Sequence, residues 1–155
     1  MEKRNSCRAI IFKDGKLVVM YRKKEDKEYY TLPGGGMEAG ETELECVVRE
    51  CVEEFGIDVE PLKKVYILED AKTIQNYYVC KWVSGELGTG VGEEFQADRN
   101  RGVYLPTMVE FEKMESLPIV PGEIKERILK DCNFDAEDNF ESVKEIIKIE
   151  SNFGA

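Results

Sequence analysis

The sequence predicts an α+β fold with a mixed β-sheet between helices. Three observations predict it. Short apolar, β-prone runs recur through the first half of the chain. Amphipathic helical patterns come singly, not after every strand. No regular strand–helix alternation runs through the 155 residues, so a parallel βαβ array is disfavoured.

The elements follow in order. Residues 7–12 are short, apolar and β-prone. Asp14 and Gly15 signal a hairpin turn, and residues 16–21 form the returning strand. A charged loop spans 23–28. Residues 29–32 stay extended because Pro33 restricts the residue before it. A glycine turn at Gly34, Gly35 and Gly36 then leads into a helix. Thr42 and Glu45 form a capping box at its start. Leu44, Val47, Val48, Cys51, Val52 and Phe55 supply an apolar stripe, and Gly56 suits a left-handed C-terminal cap. Residues 64–68 and 74–83 read as strands. A glycine-punctuated loop reaches to about residue 101. Extended stretches at 102–104 and 108–111 are separated by Pro106. Pro121 opens a second helix over 122–131. A third is expected over 136–149, with Phe140, Val143, Ile146 and Ile147 on its inner side.

A chain of this length suits one domain, residues 1–155, with a core over about 7–131 and the terminal helix over 136–149. The apolar fraction of 42% can fill a core, and no run is long enough for a membrane span. The N-terminus does not read as a signal peptide. Five cysteines form no C-x-x-C pair, which fits reduced thiols in a cytoplasmic protein. The net charge of −10 disfavours a nucleic acid polymer or an anionic membrane as partner. Residues 1–30 nevertheless carry +4 and the remainder −14, so a basic N-terminal part could meet phosphate while a cation neutralises the acids.

Histidine is absent from the chain. Ser-His-Asp and Cys-His catalysis are therefore excluded, and zinc is disfavoured. Any base must be a carboxylate, a lysine, a tyrosine or metal-bound hydroxide.

The first helix carries Arg49 and Glu50 and, one turn on, Glu53 and Glu54. Carboxylates at i, i+3 and i+4 point the same way and repel unless a cation lies between them. Their mean direction lies about 140° from the apolar stripe at 100° per residue. Counting from Gly35, five residues precede Glu41 and seven more precede Arg49 and Glu50. Cys51, Val52, Glu53, Glu54, Phe55, Gly56 and Ile57 follow. This pattern resembles the Nudix hydrolase (MutT-like) signature at every specified position. The motif spans 23 residues, and weaker likeness extends over about 7–130.

The resemblance implies an α/β/α sandwich. It also implies metal-dependent hydrolysis of a phosphoanhydride in a nucleoside diphosphate linked to another moiety. Mg²⁺ is the expected cofactor, with Mn²⁺ suited to the same oxygen ligands. Glu50 and Glu54 would be the main metal ligands, with Glu53 as ligand or base. A backbone carbonyl of Gly34 or Gly35 would add a further ligand. Arg49 would orient a glutamate, and Glu41 would tie the loop to the helix. Arg22, at the end of the second strand, matches an arginine that faces substrate phosphate in the family, and Arg8 is a second candidate. Of Glu93 and Glu94 in the glycine-rich loop, Glu94 is the favoured additional acid. Tyr77, Tyr78, Trp82 and Tyr104 could stack on a nucleobase or fill the core.

Subfamily markers beyond the motif are missing. Thr73, Ile74 and Gln75 stand where dinucleoside polyphosphate hydrolases carry a tyrosine, and Lys72 where ADP-ribose hydrolases carry a proline. A nucleoside triphosphate is the leading substrate expectation, with the protein a monomer or homodimer. The alternative is a Nudix domain that binds a nucleotide as sensor or regulator without turning it over.

Overall fold

The computed structural model describes residues 2–88 and 102–151. Among them nine strands form one mixed sheet: β1 (Arg4–Lys13), β2 (Lys16–Lys24), β3 (Lys27–Thr31), β4 (Gly34–Gly36), β5 (Ile57–Glu69), β6 (Thr73–Gly85), β7 (Val103–Glu110), β8 (Ile119–Val120) and β9 (Ile147–Glu150). Two α-helices, α1 (Glu43–Phe55) and α2 (Gly122–Asp131), accompany them. The strand order is β8-β3-β2-β1-β6-β5-β9, with β4 on β1 and β7 on β2.

Period-two geometry explains the layering. In β1 and β2, Ile10, Leu17 and Val19 join one buried cluster, while Ala9, Ile11, Val18 and Met20 join another. Both strands are therefore covered on both faces, which is why they read as continuous apolar runs. Val47, Cys51 and Phe55 of α1 complete one cluster. Ile124 and Ile128 of α2, with Phe140 and Val143, complete the other. The α/β/α sandwich implied by the motif is the architecture observed.

The predicted helix over 136–149 does not form. Turns occupy much of the region, and Ile147–Glu150 becomes β9, parallel to β5 with Tyr66 opposite Ile147. Short polar side chains capture the backbone here. Asn133 Oδ1 accepts from Asp135 N–H, and Asp138 Oδ1 accepts from Phe140 N–H, each at 3.0 Å. Such bonds compete with a helix. Phe140 and Val143 still bury, but Ile146 is exposed, and Ile147 and Ile149 alternate as a strand requires.

Pro106 does not interrupt its strand. β7 is continuous and, among the described residues, pairs only with β2, so the missing proline N–H faces no second ladder. The glycine turn is also more ordered than expected. Gly34, Gly35 and Gly36 form a strand opposite Arg8, Cys7 and Ser6.

Candidate active site

The capping box expected at α1 is present. Thr42 Oγ1 accepts from Glu45 N–H at 3.1 Å, and Glu45 Oε1 accepts from Thr42 N–H at 2.9 Å. Gly56 ends the helix in the left-handed region, at φ 75°. The buried residues are Cys46, Val47, Cys51 and Phe55, while Leu44 and Val52 lie exposed. The buried face is thus rotated toward the acids by about 50° at 100° per residue. Cys46, Glu50 and Glu54 share one i, i+4, i+8 ridge at the rim of the packed face. That rotation brings Glu50 and Glu54 against the glycine strand.

Gly35 sits where the Glu50 carboxylate approaches the backbone. A Cβ on Gly35 would lie 2.7 Å from Glu50 Oε1 and 2.9 Å from Oε2. Gly34 is tighter still and has φ 147°, and its N–H donates to Glu54 Oε1 at 3.0 Å. Alternate pairs in an antiparallel ladder exchange hydrogen bonds. Ala9 N–H donates to Pro33 O, and Met37 N–H donates to Asn5 O, so Cys7 and Gly35 form the bonded pair between them. Gly35 O is therefore turned toward β1, while the carbonyls of Gly34 and Gly36 point away from it. Of the two glycine carbonyls expected as metal ligands, Gly34 O has the outward orientation.

Arg49 gathers the acids. Its Nε donates to Glu41 Oε2 at 2.6 Å and its Nη2 to Glu41 Oε1 at 3.0 Å, a bidentate pair. Nη1 donates to Glu50 Oε1 at 3.0 Å and Glu53 Oε2 at 3.1 Å, and Nη2 also donates to Gly36 O at 3.2 Å. The Arg49 bonds, followed by the Glu38 N–H, hold the Glu41 carboxyl down at about 2. Glu41, foremost among the surrounding acids, in turn pushes the Arg49 guanidinium further up and keeps it charged. The side chain of Glu50 is 13% exposed and that of Glu53 45%.

Beside this cluster a pocket of about 270 Å³ is lined by Arg8, Met20, Arg22, Thr31, Gly34, Glu54 and Tyr104. β1 supplies Arg8 and β2 supplies Arg22. Tyr29 of β3 and Tyr104 of β7 are both register partners of Arg22. The Arg22 guanidinium lies 4.4 Å from the Tyr104 ring centroid and 5.3 Å from that of Tyr29, and it donates to Tyr104 Oη. Cation–π contact on both flanks restrains it. Sequence reasoning weighed Tyr104 for stacking on a nucleobase or filling the core, and missed Tyr29. Only strand register, invisible in a single sequence, pairs both with Arg22. Tyr77 is fully buried core, Tyr78 donates to Glu43 Oε1, and Trp82 Nε1 donates to Gly85 O. A larger open hollow of about 980 Å³ lies along the β2–β3 hairpin and contains no motif residue.

Arg8 Nη1 donates to Leu32 O at 3.0 Å and Gly34 O at 3.2 Å. Glu93 and Glu94 lie outside the described residues. Among the described residues no three Asp, Glu or Cys side chains converge on one point close enough to hold a metal. The acids are instead engaged by Arg49 and by Gly34 N–H. Their all-oxygen chemistry and the bare Gly35 cradle around Glu50 still fit a hard divalent cation. All five cysteines are free thiols, with burial pushing Cys80 up to about 12 and Cys132 to about 11. Among the described residues no helix is long and apolar enough to cross a membrane.

A glycine strand feeding an acidic helix, set on a mixed sheet between helices, places the chain in a class of fold built around one acid-bearing helix. The NUDIX domain profile matches residues 2–115, and the chain belongs to the Nudix family. An ADP-ribose pyrophosphatase of Methanocaldococcus jannaschii is 39% identical over 88 residues, 52% of this chain and 52% of that protein. A Bacillus subtilis relative is 32% identical over 108 residues, 64% of this chain and 48% of its own length. The chain's match thus spans about half the length of both curated relatives. The crystal structure of a Streptococcus suis ADP-ribose pyrophosphatase has a TM-score of 0.64 at 18% identity, covering 97% of this chain and 100% of the other.

Proposed function

We propose that the chain hydrolyses a phosphoanhydride bond in a nucleoside diphosphate linked to another moiety. The observation that carries this reading is the meeting of unlike chemistries at one pocket. Glu54, with Glu50 and Glu53 on the same helix, offers oxygen ligands, and Arg8 and Arg22 line the same pocket as Glu54. Acids alone would suit a cation and guanidiniums alone a phosphate. Together they suit a phosphate chain that brings its cation with it.

Glu50, Glu54 and the outward carbonyl of Gly34 would hold Mg²⁺ or, in the same oxygen set, Mn²⁺. When bound, the ion supplies charge neutralisation of the phosphates and a lowered water pKa. Arg49 keeps Glu50 and Glu53 in register with each other. Glu53, the most exposed of the three acids hydrogen-bonded to Arg49, would accept the proton of an attacking water. Arg22 is restrained between two tyrosines and offers its remaining N–H groups to phosphate oxygens. Glu94 enters as an additional base by resemblance alone.

The names of the curated relatives support a sugar-bearing substrate such as ADP-ribose ahead of the triphosphate expected from the sequence. The five free thiols support a reducing, cytoplasmic setting. The protein would act on this small molecule as a monomer or homodimer.

The test is a panel of ADP-ribose, UDP-sugars and nucleoside triphosphates with Mg²⁺ or Mn²⁺, scored by product. ADP-ribose should give AMP and a sugar phosphate. Release of pyrophosphate from triphosphates alone would restore the sequence-based expectation. No turnover of any compound, with tight nucleotide binding retained, would favour the sensor alternative.

A further inference from the structure

We infer that Arg8 is a positioning residue for the metal ligands, acting through the two peptides that flank the Gly34 α-carbon. The inference rests on the proposed hydrolase reading and deepens it. One guanidinium nitrogen, Nη1, bridges the carbonyls of Leu32 and Gly34, at 3.0 and 3.2 Å. Pro33 lies between them and has no N–H of its own to fix the segment. Arg8 is also the register partner of Gly34 across the β1–β4 ladder. The Arg8 stem packs there so closely that a Cβ on Gly34 would meet Arg8 Cδ at 2.9 Å and Arg8 Cα at 2.8 Å.

The other end of the same residue is equally engaged. Gly34 N–H donates to Glu54 Oε1 at 3.0 Å. Gly34 is therefore held at its carbonyl by Arg8 and at its N–H by Glu54. Rotation of the Gly34–Gly35 peptide would move the carbonyl, and rotation of the Pro33–Gly34 peptide the N–H that holds the carboxylate. The hydrolase reading assigns both carbonyl and carboxylate to the ion. Arg8 thereby transmits the position of β1 to Glu54. Groups that orient metal ligands are commonly worth ten- to a hundredfold in metal affinity.

The test measures binding of Mn²⁺ alone, without nucleotide, by electron paramagnetic resonance. Arg8→Ala and Arg8→Met should weaken Mn²⁺ binding by roughly tenfold or more. Arg8→Lys should restore it to within about threefold, because a single ammonium nitrogen carries enough donors to bridge both carbonyls. Arg22→Ala should leave Mn²⁺ affinity unchanged while raising KM. If Arg8→Ala does not fold, Arg8→Met against Arg8→Lys decides. Wild-type Mn²⁺ affinity in Arg8→Met, with only KM raised, would overturn the inference and leave Arg8 as a phosphate contact. Absence of Mn²⁺ binding by the wild-type protein alone would overturn this inference, whereas the hydrolase reading, in which the cation arrives with the phosphate chain, stands or falls on the substrate panel.

Discussion

The Glu50 carboxylate rests on the bare α-carbon of Gly35, where even a methyl group would come within 2.7 Å of Oε1. The neighbouring glycine meets something harder. A Cβ on Gly34 would come within 2.0 Å of the Cys7 carbonyl, which is backbone inside a sheet. The two positions should therefore fail in different ways.

Gly35→Ala should fold with a loss of no more than about 1 kcal/mol, since a flexible side-chain end can move aside, yet lose metal affinity and turnover. Gly34→Ala should cost about 3 kcal/mol or more, because the strand itself must shift. Urea unfolding beside Mn²⁺ titration separates them. Equal stability losses in both variants would contradict the assignment.

Glu54→Gln keeps an oxygen that can accept from Gly34 N–H but loses the charge. It should retain the melting temperature within a few degrees while kcat falls at least about a hundredfold. Glu53→Gln should lower kcat with little change in Mn²⁺ binding if Glu53 serves as base. Initial rates at saturating Mg²⁺ with thermal melts decide the first, and initial rates with Mn²⁺ titration decide the second.

Acid should act through Glu41. Its carboxyl is held at about 2 rather than the ordinary 4.5, first by Arg49 and then by the Glu38 N–H. A depressed carboxyl contributes stability that is fully present above 4.5 and is lost as pH falls toward 2. The gap in stability between wild type and Glu41→Gln should therefore be widest above pH 4.5 and close on acidification. Parallel unfolding curves across that window would sink the idea.

Far from the pocket, Tyr66 Oη donates to Asp131 Oδ2 at 2.6 Å within the buried layer under α2. Asp131 retains two bonds from Arg127, at 3.1 Å each. Tyr66→Phe should then cost about 1 kcal/mol in chemical denaturation and leave hydrolysis untouched. A loss of activity without a loss of stability would point to a coupling that the geometry does not contain.

Much of this was legible before any coordinates. The cap at Thr42, the glycine at the end of α1, the span of α2 and the first two strands all follow from local chemistry and periodicity. What sequence could not supply were relations across strands. Tyr29 and Tyr104 flank Arg22 only because β3 and β7 pair with β2 in a particular register. The acid ridge lies nearer the packed face than the apolar stripe implied, because Cys46 is buried and Leu44 and Val52 are not. Residues 136–149 misled for a related reason. Phe140, Val143 and Ile147 carry a helical spacing, but Asn133 and Asp138 seize backbone donors locally, and the edge of β5 takes the last isoleucines.

That final pairing bears on how the molecule is made. A ribosome releases β5 long before β9 exists. Throughout the delay, one margin of the half-built sheet exposes backbone donors and acceptors, a template that a strand from any neighbouring polypeptide could extend. Docking of Ile147–Glu150 beside Tyr66–Glu69 removes that stretch of the template.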